Sequence, residues 1–310
     1  MGTANTQETC RRCLDTELLN VYGLFEGQLP PTIMTSLWHG AYSRGRNPFA
    51  LCYYSHYPSL GVSEERRQKA CEYLSRFGAT REEQTRNYYL WAQTVPKALW
   101  RYFSHLPLSY FADVVVADMM PPLAAAQLLV RLDLYPHFRG ANVVDLFSGV
   151  CGWLMAFMYL PSHYAPKRWV AVDIDPRRLQ ICKLIANDVG VDVVTIRRDL
   201  STPYVQRSDV VVGSPPCHEF SRAKTSPRRV DAGLALVKSY LESVKAINPI
   251  VAVMEEATTT KESQKLVTQL VEQYGFTYGF YELREYGAIQ YNRRRLIAWR
   301  VKTGERKEKA

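Results

Sequence analysis

Val143-Val144-Asp145-Leu146-Phe147-Ser148-Gly149-Val150-Cys151-Gly152 reads as a short apolar strand running into a glycine-bearing turn. Glycines let backbone approach a ligand closely, and a helix opening near Trp153 would offer its N-terminus to an anionic group. Such a turn alone is common to many nucleotide-binding α/β domains. The pattern recurs downstream. Trp169-Val170-Ala171-Val172 ends in Asp173-Ile174-Asp175, and an acid there, about 20 residues past the glycines, suits a ribose diol. It also reads as a solvated loop carboxylate. A third run, Val191 to Ile196, leads into Arg197-Arg198-Asp199-Leu200. A fourth, Asp209 to Ser214, leads into Pro215-Pro216-Cys217, and a fifth, Ile250 to Met254, into Glu255-Glu256. Each run ends in polar or reactive groups. That predicts an α/β domain with a doubly wound, mostly parallel sheet whose C-terminal edge carries the site.

Cys217 is the sharpest chemical signal. Two prolines stop the fourth strand and hold the next residue in a stiff turn. A thiolate is the best nucleophile among ordinary side chains. Taken alone, a buried cysteine after a strand is an equal reading.

Residues 143 to 300 resemble the cytosine-C5 methyltransferases that use S-adenosylmethionine. The stretch from Asp145 to Gly152 resembles the family's first motif. Pro215-Pro216-Cys217-His218-Glu219-Phe220-Ser221 resembles its catalytic proline-cysteine motif. Glu255-Glu256-Ala257 stands where the family has Glu-Asn-Val. Tyr286-Gly287-Ala288-Ile289-Gln290 with Arg293-Arg294-Arg295 resembles its Gln/Arg motif, with one residue inserted. Cys217 precedes Asp231 by 14 residues and Glu255 by 38, spacings usual in the family.

The resemblance implies a class I, Rossmann-like methyltransferase domain over residues 116–310, with a smaller, mainly helical N-terminal region, 1–115, holding recognition material. It implies S-adenosylmethionine as cofactor, with Phe147 against the adenosine and Gly149 and Gly152 admitting the methionine end. Asp173 would take the ribose hydroxyls and Asp199 the adenine amino group, with Ile174 and Leu200 beside them. Pro216 and Leu236 would line the pocket, and Asp118 would lie near the methionine carboxylate. Catalysis would rest on Cys217 attacking C6 of a flipped cytosine, Glu255 supporting a proton at N3, and Arg293 and Arg295 holding O2 and a phosphate. The same arginine run also reads as a solvated basic face. Double-stranded DNA is the partner implied, acting on a monomer, with a restriction endonuclease as companion. The same chemistry on RNA, and a silent nucleic-acid-binding homologue, are the alternatives.

Four departures from the family pattern stand out. The chain ends 15 residues after Arg295, leaving no room for the family's recognition region or last motif. Instead Ala117-Asp118-Met119-Met120-Pro121-Pro122, which resembles that last motif and opens a helix with proline, stands before the first. That order reads as a circular permutation, and an unrelated helix opened by proline is the other reading. Cys151 replaces a glycine, Glu256 replaces an asparagine beside the catalytic acid, and Asp118 replaces another asparagine.

Composition is consistent with a polyanionic partner. The 310 residues carry a formal net charge of +9, from 39 basic and 30 acidic residues. Residues 1–118 hold 12 basic and 11 acidic residues, leaving 27 and 19 for the remainder, so the excess lies on the catalytic part. The segment from His218 to Val230, with Arg222, Lys224, Arg228 and Arg229, reads as a basic loop able to close on phosphates. No apolar run approaches the roughly 20 residues of a membrane span, and no signal peptide opens the chain, so a cytoplasmic location is expected. The seven cysteines are expected to be reduced there. Cys10 and Cys13 form half a metal site that Cys52, His39 or His56 would have to complete; no metal is expected. In the N-terminal region, Ser63-Glu64-Glu65 predicts a helix ending near Gly78, and Thr80-x-x-Glu83 a capping box opening another that Pro96 kinks or ends.

Overall fold

A computed structural model describes residues 52, 64–216, 230–258, 260–287 and 293–302. The chain divides into two compact units. One runs to Ala92 and takes Pro96–Phe111; the other comprises Gln93–Val95 and the chain from Ala112 onward.

The first unit contains α1 (Glu64–Ser75) and α2 (Arg81–Ala92). The capping box opens α2: Thr80 Oγ1 accepts the Glu83 amide, and Glu83 Oε2 accepts the amide of Thr80. The helix ends at Ala92, before Pro96 is reached. Tyr73, Phe77, Tyr88 and Trp91 meet at ring separations of 5.5–6.4 Å and are buried, so these tyrosines serve packing. Cys52 is in a disulfide with Cys71, which removes it from any set completing a metal site with Cys10 and Cys13. Those two, His39 and His56 lie outside the described residues.

The second unit is built on a seven-stranded sheet. Its strands are β1 (Asn142–Leu146), β2 (Arg168–Asp173), β3 (Asp192–Arg197), β4 (Val210–Gly213), β5 (Val251–Glu256), β6 (Thr277–Glu282) and β7 (Arg294–Val301). The spatial order is β3-β2-β1-β4-β5-β7-β6. The first five strands are mutually parallel, and β7 runs antiparallel to both β5 and β6. Around the sheet lie α3 (Pro122–Arg131), α4 (Pro176–Val189), α5 (Val230–Ile247) and α6 (Lys261–Gln273). This is a doubly wound, mostly parallel α/β architecture, as the sequence predicts. Among the described residues no helix is long and apolar enough to cross a membrane.

Side-chain alternation makes the core two-sided. Val144, Leu146, Val211, Ala252, Met254 and Leu296 face α5 and α6. The intervening Trp169 faces the other way, meets Phe157 at 6.0 Å and donates to Asp145 Oδ2 at 3.3 Å. Gly213 ends β4 without a side chain for a packing reason. A Cβ there would lie 2.7 Å from the Tyr240 ring, and Tyr240, fully buried on α5, donates to the Val253 carbonyl at 2.7 Å. The sheet order reverses between β1 and β4, so the C-terminal ends of these two strands open a crevice.

Candidate active site

Ends of six strands, with residues of α4 and α5, enclose a cavity of about 400 Å³ at that crevice, within the several-hundred-Å³ range of small-molecule sites. Its floor is the turn after β1. Phe147, Gly149 and Cys151 all take positive φ, at 56°, 53° and 60°. Only glycine does this without steric cost. The turn is tied down from β2: the Ser148 amide donates to the Val172 carbonyl, and the Gly149 amide to Asp173 Oδ2 at 2.9 Å. Asp173 Oδ1 accepts the Asp175 amide at 2.8 Å. One carboxylate thus braces both the glycine turn and the entry to α4, which Asp175 caps. Burial pushes the Asp173 carboxyl above its ordinary value, and those two backbone bonds oppose the shift.

The helix after the glycine turn differs from expectation. It is a single turn, Gly152–Met155, continued by a short tighter turn, so it offers little macrodipole to an anion. Gly152 is required for another reason. A Cβ there would lie 2.4 Å from the Met120 carbonyl oxygen, so the segment before α3 presses against the turn. Cys151 does not line the cavity; its fully buried side chain forms a disulfide with Cys182 on α4, their Cα atoms 5.4 Å apart. The expectation of reduced thiols is corrected at both pairs, whose Cα separations suit bridging.

All ten residues assigned to the cofactor line this one cavity: Asp118, Phe147, Gly149, Gly152, Asp173, Ile174, Asp199, Leu200, Pro216 and Leu236. The catalytic assignments divide. Glu255, at the end of β5, is buried in the wall, and its Oε1 lies 2.7 Å from Arg295 Nε on β7. Both line the cavity beside Ser214, Pro215 and Pro216. Arg293 does not. Its buried guanidinium donates to the Met119 carbonyl at 2.7 Å and reaches that of Ala117 at 3.5 Å. It holds the segment that carries Asp118. Cys217, Gln290 and the basic loop lie outside the described residues.

Glu256 follows Glu255 at the end of β5. It is fully buried, one oxygen accepts the Ala257 amide at 2.8 Å, and burial with the neighbouring Glu255 pushes its carboxyl well above the ordinary range. Burial thus favours the neutral carboxyl over a second charge. Asp118, the other acid in place of an amide, is matched by Arg178 on α4: Nη2 donates to Oδ2 at 2.9 Å.

Sequence reasoning missed Arg178, Arg198 and Trp153, which also line the cavity. Trp153 Nε1 donates to Ser214 Oγ at 3.3 Å, joining the glycine turn to the residue before the two prolines. A signal for Arg178 existed. Pro176 fixes the helix start, so Arg177 and Arg178 sit in the first turn of α4, where a cation opposes the helix dipole.

A family model, C-5 cytosine-specific DNA methylase, matches residues 141–309, more than half of the chain. The chain belongs to that family. Type II methyltransferase M1.HphI of Haemophilus parahaemolyticus is 29% identical over 140 residues; the match covers 42% of this chain and 37% of that relative's length. Among solved structures, a putative DNA modification methyltransferase encoded within an E. coli prophage is 20% identical over 52% of this chain and 46% of its own, with a TM-score of 0.40. A SAM-dependent methyltransferase from Aquifex aeolicus is 13% identical over 61% of this chain and 96% of its own, with a TM-score of 0.39.

Enzymes of this methylase family use S-adenosylmethionine, and the cavity fits it. Gly149 leaves open space, with Arg178 Nη1 the nearest atom to an added Cβ at 4.0 Å. Ile174 is 61% exposed on the wall beside Asp173 and offers apolar surface to a planar group.

Proposed function

We propose that this methylase acts on C5 of cytosine in duplex DNA through a covalent adduct on Cys217. The observation that carries the reading is the Glu255–Arg295 pair, buried in the cavity wall beside Ser214-Pro215-Pro216, whose next residue is Cys217. S-adenosylmethionine, when bound, supplies an electrophilic methyl group. C5 of cytosine is too weak a nucleophile on its own, and this chain's residues activate it. The Cys217 thiolate adds to C6, while Glu255 supports a proton at N3 so that the ring accepts the electron pair. C5 becomes enamine-like. After methylation a base removes the C5 proton and Cys217 leaves as thiolate. Arg295 holds Glu255 in place and neutralises charge at the base edge, whereas Arg293 braces residues 117–119 behind the cofactor site.

The base must leave the duplex to reach this cavity, and the basic segment 218–229 is suited to the flanking phosphates. Residues 1–115 would supply recognition. The segment 117–131 plays the part of the family's last motif from a permuted position; the close approach of Met120 to Gly152 supports this. A monomer working alongside a restriction endonuclease fits the reading. Tritiated S-adenosylmethionine with mixed-sequence duplex DNA, and RNA in parallel, tests it. Label in DNA cytosine that disappears in Cys217→Ala is the expected result. Label in RNA alone would transfer the substrate, and cofactor binding without label in either would overturn the activity.

A further inference from the structure

One covalent bond in the second unit takes no part in the chemistry above. Cys151 in the glycine turn and Cys182 on α4 are both fully buried, and their sulfurs are joined. Neither lines the cavity, yet Val150 and Gly152 on either side of Cys151 do. Cys182 Sγ lies 3.3 Å from the Gly149 carbonyl oxygen, so the bond sits directly behind the cavity floor. The turn is held from two sides. The Ser148 and Gly149 amides tie its first half to β2. The disulfide ties its second half to α4. Cys151 holds φ 60° and ψ 47°, a left-handed conformation that an L side chain resists. It stands where the family resemblance places a glycine, which adopts that conformation freely.

We infer that the Cys151–Cys182 bond is a redox switch on cofactor affinity: closed, it holds the glycine turn in its binding shape, and reduced, it lets that shape go. The inference rests on the cofactor reading and adds to it a control by thiol chemistry. The step is thiol–disulfide exchange with a dithiol. One reductant thiolate attacks a sulfur of the pair, the Cys151–Cys182 bond breaks as a mixed disulfide forms, and the second reductant thiolate displaces the protein sulfur. Two electrons and two protons end on Cys151 and Cys182 as thiols, and the reductant leaves as its own disulfide. A low-molecular-weight disulfide drives the reverse. The closed bond holds Cys151 against its backbone preference. With the bond open, nothing covalent opposes a return to ordinary φ, and the floor that Gly149 and Gly152 shape moves with it. Both sulfurs are buried, so the turn must open before a reductant reaches them, and a ligand seated on the turn resists that opening. The coupling is reciprocal: a ligand that prefers the closed bond makes it harder to reduce by the same factor.

The test is S-adenosylhomocysteine affinity, measured by calorimetry on the full-length protein before and after dithiothreitol. Differential alkylation with peptide mapping reads the state of Cys151 and Cys182 separately from the Cys52–Cys71 bridge. Reduction is expected to weaken binding by about 5- to 30-fold, the cost of one left-handed L residue. Cys182→Ser should bind like the reduced wild type and ignore the reductant. Cys151→Gly, which also lacks the bond, should bind like the oxidised wild type in either condition, because glycine takes the turn unaided. A saturating ligand should slow reduction of this bridge. Equal affinity in the two wild-type states, a Cys182→Ser variant as tight as the oxidised protein, or free thiols at both positions without reductant would each overturn the switch. Wild-type protein whose bridge is closed but which binds no S-adenosylhomocysteine would instead remove the cofactor reading beneath it.

Discussion

The two halves of the sheet reach the cavity by different means. On the side of β1, β2 and β3 the backbone sets the shape of the wall, and charged side chains such as Asp173 and Arg198 are tied to it. Positive φ angles at Phe147, Gly149 and Cys151 shape the turn, and the Asp173 carboxylate is spent on amides of that turn and of α4. On the side of β4, β5 and β7 the wall carries a buried ion pair beside Ser214, Pro215 and Pro216. Glu255 and Arg295 come from strands 40 residues apart in sequence and meet at 2.7 Å only because β7 inserts antiparallel beside β5. A backbone-built half can be rigid before any ligand arrives. A half made of buried charges depends on each partner keeping the other satisfied. Substitutions should therefore affect chemistry on one side, and binding and stability on the other.

The largest effects belong to the charged half. Cys217→Ala should abolish methyl transfer while leaving S-adenosylhomocysteine affinity near wild type, measured by label incorporation and calorimetry on the same preparation. Glu255→Gln should lower turnover by roughly 10²- to 10⁴-fold, the usual contribution of a positioned acid. A fall in cofactor affinity of the same size in either variant would erase the division between the halves.

The backbone half should answer in stability. In Gly152→Ala the new methyl group meets the Met120 carbonyl at 2.4 Å. Backbone cannot step aside like a flexible side chain, so a loss of about 1–3 kcal/mol is expected in urea unfolding. Displacing Met120 also displaces Asp118, so cofactor affinity should fall with it. One residue earlier the sign reverses. Cys151 sits in the left-handed region at φ 60° and ψ 47°. Once the disulfide is reduced, Cys151→Gly should gain about 1 kcal/mol; a loss under reducing conditions would show that the buried thiol packs well enough to outweigh the backbone.

The same contrast governs what could be read from sequence. Strands made of Val143-Val144, Val170 to Val172 and Val210 to Val212 announce a buried parallel sheet, because burial on both faces demands continuous apolar runs. Glycines, prolines and strand-end acids mark backbone-built sites locally, and the family resemblance named the rest of the ten residues that line a single cavity. Pairings across the sheet leave no such trace. Nothing local separates Arg293 from Arg295; register alone turns one toward Glu255 and leaves the other under Met119. Arg178 was obscured for the same reason, since its partner lies 60 residues earlier. The disulfide between Cys151 and Cys182 likewise follows from α4 lying against the glycine turn, which no cysteine spacing reveals.

The smallest effect is a pH slope, and it bears on how two adjacent acids share the charged half. Burial and the neighbouring Glu255 raise the Glu256 carboxyl well above the ordinary 4.5 in the folded protein. In the unfolded chain it ionises near that ordinary value. Above it, the folded state binds the extra proton, so stability present at lower pH is lost as pH rises toward the folded value, by at most about 1.4 kcal/mol per pH unit for one proton. Glu256→Gln removes this group's share. The variant should therefore gain on wild type as pH rises from 5 to 8, in unfolding curves taken at matched salt. Asp145 and Asp173, also raised by burial, contribute equally to both proteins and cancel in the difference. If the gap stays flat across that range, Glu256 is ionised in the fold, and Glu255 and Arg295 would then work beside a second buried negative charge.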